Sequence, residues 1–302
     1  MSARLVRRLA FGAALAGFVL PAARRRLSLP AAVTSVVAWQ TPLSVAMLFP
    51  RSRARSAAVY GAQMWAYVTH YELPNDDPEA LLRRVRVDYP IRIDRAIGLG
   101  EIPTLRLQRV LGRPGHVYTH DKALSIVHWS WFFAPHVALG WILWRHPARF
   151  AESAARVAAV FDVGAGVYWL LPTAPPWWAG DRGSLPRVRR IMTEAGERLW
   201  GRYWTRLYDS LSGNQLAAMP SLHFATSVMA AHVLSDVGRA PGTIGWAYAG
   251  ALGFALVYLG EHYVADLLAG ALLTEGVRRT APVARPAARA VRRLVHALEP
   301  SL

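Results

Sequence analysis

The chain contains several apolar runs of the length that crosses a bilayer as helix, roughly 17–25 residues. They are 28–50, 57–73, 123–144, 153–172, 220–237, 243–259 and 261–276. A backbone inside hydrocarbon must satisfy its own hydrogen bonds, so helices are the spanning elements this pattern allows. The prediction is an all-α polytopic membrane helix bundle. Residues 9–23 form a shorter run behind Arg4, Arg7 and Arg8, like the apolar region of a signal peptide. The PAARRR that follows is a poor cleavage site, so the run is read as an uncleaved anchor or an interfacial helix.

Composition agrees: 53% of the 302 residues are hydrophobic and mean hydropathy is positive at +0.19. Cysteine is absent, which excludes disulfides, thiolate metal sites and thiol nucleophiles. The net charge of +16 is carried by arginine, Lys122 being the single lysine. In a membrane chain such a charge meets anionic lipid, and no nucleic-acid partner is expected. The arginines of 51–56 and 145–150, with Arg239, Arg278 and Arg279, fall on one side if spans alternate from residue 57. By the positive-inside rule that side is the cytoplasm of a plasma (inner) membrane. Segments 74–122 and 173–219 then lie outside although they too are rich in arginine, which strains the rule. Apolar residues every three to four positions in 74–122 suggest short amphipathic helices on the bilayer surface; a solvated basic face is the other reading. The organisation expected is an N-terminal hydrophobic part (1–56), a core (57–276) and an Arg-rich tail (277–302) with a possible cytoplasmic helix.

Three features share the outer surface in this topology: PSLH at 220–223, EHYVAD at 261–266 and LLPTAPPWW at 170–178. His223 and His262 are separated by one span down and one up, which sets them at one depth. His262 and Asp266 are four apart, on one helical face, where the carboxylate can take one imidazole proton and leave the other nitrogen as a lone pair. That is what a nucleophilic or basic histidine needs. The helix opened by Pro220 and Ser221 points N–H groups at the same space, which favours phosphate, and Ser221 can add a hydroxyl. His120, His128 and His136, eight apart, drift around a helix and are read as packing or interfacial groups.

PSLH followed by HYVADLLAG resembles the two C-terminal signatures of the type 2 phosphatidic acid phosphatase superfamily, with Pro220, Ser221 and His223 in one and His262, Asp266 and Gly270 in the other. The resemblance covers 57–276 and implies a six-helix core, with one or two extra helices before it. It implies that His262 is a nucleophile forming phosphohistidine, that Asp266 orients it, and that His223 protonates the leaving oxygen and then activates water or an acceptor hydroxyl. No metal and no cofactor are implied, and the substrate is a lipid-linked phosphate. The family's arginine six residues before the nucleophile is Leu256 here, and its Lys/Arg-Pro signature is missing. PTAPP and EHY are similar instead to the inositol phosphorylceramide synthase branch, which implies transfer of a phospho-headgroup. The phosphate-binding cations stay open among Arg182, Arg187, Arg189, Arg190 and Lys122. The rival reading is a non-catalytic transporter or lipid-binding protein with His223, His262 and Asp266 as proton relay or metal site.

Overall fold

A computed structural model describes residues 3–204, 206 and 213–298. Among these there are helices and a few isolated bridges but no strand. The helices are α1 (Ala3–Ala23), α2 (Ala31–Trp39), α3 (Thr41–Leu48), α4 (Arg53–Glu72), α5 (Pro78–Arg84), α6 (Asp88–Ile97), α7 (Pro103–Leu111), α8 (Thr119–Ser130), α9 (Ala134–Arg145), α10 (Pro147–Leu170), α11 (Pro176–Asp181), α12 (Ile191–Trp200), α13 (Leu222–Ser235), α14 (Arg239–Tyr258) and α15 (Val264–Leu298).

Helices α1 and α14 and the α2–α3 pair are long and apolar enough to cross a membrane, and α8 with α9 makes a fourth candidate bent by 53°. The run 28–50 is therefore two helices meeting at Gln40, and 9–23 belongs to a full-length apolar helix. The run 123–144 is also not one straight span. It breaks at Trp131–Phe133, just before Pro135, whose ring nitrogen cannot donate to the turn behind it. Helices α4 and α10, 20 and 24 residues long, fall short of the same apolarity because they carry polar groups inward: Gln63 on α4 donates to Asp162 on α10 at 2.9 Å. Helix α13 has 14 residues.

Helix α10 is the axis of the bundle. Its Val157, Val160, Phe161, Ala165 and Tyr168 pack with Tyr67 of α4, Leu139 and Ile142 of α9, and Leu222, Ala225 and Met229 of α13. Between apolar helices in lipid there is little hydrophobic drive, so close contact through small side chains carries the association. Ala225, Ala230 and Ala231 of α13 and Ala249 and Ala255 of α14 are buried accordingly. The arginines of 51–55, Arg145, Arg149 and Arg239 all lie at the end of the bundle opposite His223 and His262. At the histidine end, Arg24 ties the α1 terminus to Asp76 at 2.8 Å and Glu72 at 3.3 Å. The tail is helical: α15 runs on past Pro282 and Pro286.

The segment 74–122 folds into short helices whose apolar sides face the protein as well as the surroundings. Ile91 and Ile102 are buried beside Tyr263, while Leu99 and Val110 are exposed. Its anchor is Asp94 on α6, fully buried, which accepts from the backbone N–H of Ala265 at 2.8 Å and Val264 at 3.2 Å. A carboxylate from a distant segment thus caps α15 and meets the positive end of its dipole. Burial pushes the Asp94 carboxyl up to about 6, and the two backbone bonds offset only part of that.

Replacement of Asp94 by alanine should lower stability by about 1–2 kcal/mol, as loss of a helix cap does. Asp94→Asn should keep most of it. Because folding raises this carboxyl's pKa, its contribution to wild-type stability declines as pH rises from about 4 to about 6, and the asparagine variant should lack that decline. Thermal unfolding in detergent across this pH range measures both effects.

Candidate active site

The PTAPP stretch folds into a backbone clasp at the end of α10. Thr173 N–H donates to Leu216 O at 2.8 Å, Ala218 N–H to Thr173 O at 3.2 Å, Arg86 N–H to Pro172 O at 2.8 Å and Ala174 N–H to Arg86 O at 3.0 Å. Residues 171–174 are held between Arg86 and 216–218, which leads the chain directly into PSLH. Tyr168, from the last turn of α10, donates to Pro220 O at 2.6 Å and accepts from Leu222 N–H at 3.3 Å.

Ser221 is the N-cap of α13 and its hydroxyl accepts from Phe224 N–H at 3.3 Å. Its own N–H donates to Asp266 O at 2.9 Å, so the starts of α13 and α15 are bonded to each other. Their closeness requires Gly270: a Cβ there would stand 2.7 Å from Ser221 O. One turn on, Thr274 donates to Ala225 O at 2.8 Å and repeats the link between the helices.

These contacts set Asp266, His262 and His223 in a line. Asp266 Oδ2 accepts from Tyr263 N–H at 2.9 Å and lies 3.1 Å from His262 Nδ1. A carboxylate only accepts, so the His262 proton sits on Nδ1 and Nε2 carries the lone pair. His262 Nε2 lies 3.2 Å from His223 Nδ1, and by the same logic the His223 N–H donates to it. His262 is 4% exposed and Asp266 fully buried. The Trp131 ring covers His223 at 4.1 Å between centroids, with its N–H committed to Thr226 Oγ1. The first-turn N–H groups of Leu222 and Phe224 are taken by Tyr168 and Ser221, which leaves His223 N–H as the donor of that turn with no hydrogen bond among the described residues.

Of the candidate cations, Arg190 reaches this centre. It pairs with Glu261, the residue before His262, through Nε at 3.0 Å and a second nitrogen at 3.3 Å, and it stacks 3.9 Å above the Trp177 ring. Burial alone raises the Glu261 carboxyl, but Arg190 outweighs it and the net value lies below the ordinary one, so the pair is ionic. Gly260 makes the approach possible. It has φ +87°, and a Cβ would stand 2.5 Å from Arg189 O. Arg189 is held by Glu194 and His116 O. Arg182 is exposed and lies over Trp178 at 4.5 Å. Lys122 is half-buried in the first turn of α8. Two residues that sequence spacing did not bring to the site are Asp94, which caps α15, and His128, whose ring lies 5.1 Å from that of His223. The eight-residue spacing does not relate His128 to His136, because the break at 131–133 puts them on different helices. Among the described residues no group of three or more His, Asp or Glu is arranged to hold a metal ion.

A methyl group at Gly270 should separate the starts of α13 and α15. Gly270→Ala should therefore leave a helical, membrane-inserted protein in which the His223–His262 contact is lost and activity falls about tenfold or more, since small misplacements of reacting groups cost that much. Circular dichroism together with turnover checks this.

The family model of the PAP2 superfamily, that of the type 2 phosphatidic acid phosphatases, matches residues 91–277. No curated protein and no solved structure matches the chain significantly. The match takes in residues 171–174 and 216–218 of the clasp but not Arg86, and it covers both histidines, Asp266 and Asp94. Members of this superfamily are phosphatases or phosphotransferases acting on phosphate esters, and the chain, with several helices apolar enough for a membrane, belongs to it.

Proposed function

We propose that the protein moves a phosphoryl-bearing headgroup from a lipid-linked phosphate to an acceptor alcohol such as a polyprenyl, inositol or sugar hydroxyl, through a phosphohistidine at His262. Hydrolysis is the same chemistry with water as acceptor. The observation that carries the reading is the Asp266–His262–His223 line, which presents a lone pair at His262 Nε2 and a proton on the neighbouring imidazole.

In the first half-reaction His262 Nε2 attacks phosphorus and the bond to the leaving oxygen breaks. Asp266 stabilises the positive charge that His262 acquires, and His223, doubly protonated in the complex with the anionic donor, gives one proton to the leaving oxygen and becomes neutral. In the second, His223 takes the proton of the acceptor hydroxyl, its oxygen bonds to phosphorus, and the N–P bond breaks. The 3.2 Å contact between the two imidazoles opens to admit the phosphoryl group. Charge on the phosphoryl oxygens is met by His223 N–H, the Ser221 hydroxyl and Arg190, which exchanges Glu261 for phosphate and takes the role of the family arginine replaced here by Leu256. Arg182, exposed on the same outer segment, and Lys122 on α8 contact the headgroup on its way in.

Burial of His262 and Asp266 and the Trp131 cover support transfer over hydrolysis, because an alcohol competes with water best in a dry site. The similarity of PTAPP and EHY to the synthase branch points the same way. The arginine-bearing loops at the opposite end support a placement of the site on the outer face of the plasma membrane.

Detergent-purified protein given a panel of lipid phosphodiesters and phosphomonoesters, with inositol or polyprenol as acceptor, should yield a new phosphodiester from the diester donors and a new phosphomonoester from the monoester donors, with little free phosphate, when products are followed by mass. His262→Ala should lose about a thousandfold or more of the activity. Wild type trapped in mid-turnover with labelled donor should hold an acid-labile, base-stable phosphoryl group that this variant lacks. His-dependent free phosphate alone would make the protein a phosphatase, and normal turnover by His262→Ala would sink the mechanism. Arg190→Lys keeps the charge but loses the two-pronged geometry, and should raise KM about tenfold with a smaller change in kcat.

A further inference from the structure

His128 stands against the proposed catalytic pair with its hydrogen-bonding capacity unused. It comes from the third turn of α8, is 5% exposed, and its ring lies 5.1 Å from the His223 ring at 50°. Its Nδ1 is buried without a partner, and neither ring nitrogen makes a hydrogen bond among the described residues. His223 is thus flanked by two rings of different character. Trp131 has its single donor committed to Thr226 Oγ1, while His128 has a free donor and a free acceptor. A buried imidazole left unpaired is costly unless a ligand completes it. Whatever completes this one lies beside His223, where the leaving and attacking oxygens must pass. Its ring faces that of His223, which in turn contacts His262 Nε2, so it borders the polar centre.

We propose that His128 is a third histidine of the reaction, donating a hydrogen bond to the oxygen that leaves phosphorus in the first half-reaction and to the oxygen that attacks in the second. The inference rests on the phosphohistidine reading above. When His262 Nε2 bonds to phosphorus, the electron pair of the breaking P–O bond stays on the leaving oxygen, which receives the His223 proton. The His128 N–H stabilises the charge on that oxygen before the proton arrives, and His128 itself stays neutral. By microscopic reversibility the same N–H orients the attacking hydroxyl while His223 takes its proton. The role matters most where the leaving oxygen is basic.

The test compares two phosphomonoesters, dioctanoyl phosphatidic acid, which leaves as an alkoxide, and 4-nitrophenyl phosphate, which leaves as a stabilised phenolate. His128→Phe keeps the shape of the ring and removes the donor. It should lower kcat/KM on phosphatidic acid about a hundredfold, and on the nitrophenyl ester less than about fivefold. His128→Asn, which returns a donor at the Nδ1 position, should recover part of the phosphatidic acid loss. Equal losses on both esters would show a structural role and overturn the proposal, as would no loss on either. If the Phe variant fails to fold, the same comparison is read from His128→Asn and His128→Gln, where equal losses again overturn it. With inositol and polyprenol supplied as acceptors throughout, failure of wild type to turn over either ester in a His262-dependent way would sink the phosphohistidine reading and this proposal with it. Wild-type turnover with equal variant losses would sink this proposal alone.

Discussion

The hydrogen bond from Ser221 N–H to Asp266 O joins the first residues of two helices that are antecedent to everything the site does. Each helix start carries an ionisable side chain that would be costly in the apolar bundle by itself. Bonded together, with Gly270 removing the side chain that would part them, they place His262 between a carboxylate and a second imidazole. The low-dielectric surroundings then strengthen each polar contact and also raise the cost of leaving one unmade. That cost explains why so many backbone groups near the site have assigned partners.

The segments 74–122 and 173–219 serve this junction from two directions. The clasp of residues 171–174 with Arg86 and 216–218 fixes how the chain enters PSLH, and Tyr168 holds the turn from below. Asp94 caps α15 from the other flank, and Trp177 presents Arg190 to Glu261. Segments that composition describes as arginine-rich surface are therefore the frame on which α13 and α15 are registered. The hydrogen bonds of Asp94 and Tyr168 run to backbone atoms, which makes the frame sensitive to loss of either.

The charge arrangement also fits the chemistry. Asp266 and the Glu261–Arg190 pair stand on two sides of the histidines, the first lacking a cation and the second internally balanced. On the proposed mechanism, arrival of a phosphate would give Arg190 a second anion to serve and His262 a reason to become cationic. A centre of this kind needs no large rearrangement beyond parting two imidazoles that touch at 3.2 Å.

What the sequence by itself determined is the class of fold and the central trio. The apolar runs demanded helices, and the i, i+4 spacing of His262 and Asp266 forces their contact because a helix repeats every 3.6 residues. The equal depth of His223 follows from one span down and one up. Some boundaries were misjudged for local reasons: Pro135 bends 123–144, and Gln40 divides 28–50. The remaining members of the site were decided by tertiary structure alone. Asp94 lies 171 positions from Ala265 in sequence, Arg190 lies 71 from Glu261, and His128 meets His223 across two different helices. No periodicity spans such separations. These pairings depend on how helices cross and where loops double back, and that is set by packing among many side chains at once.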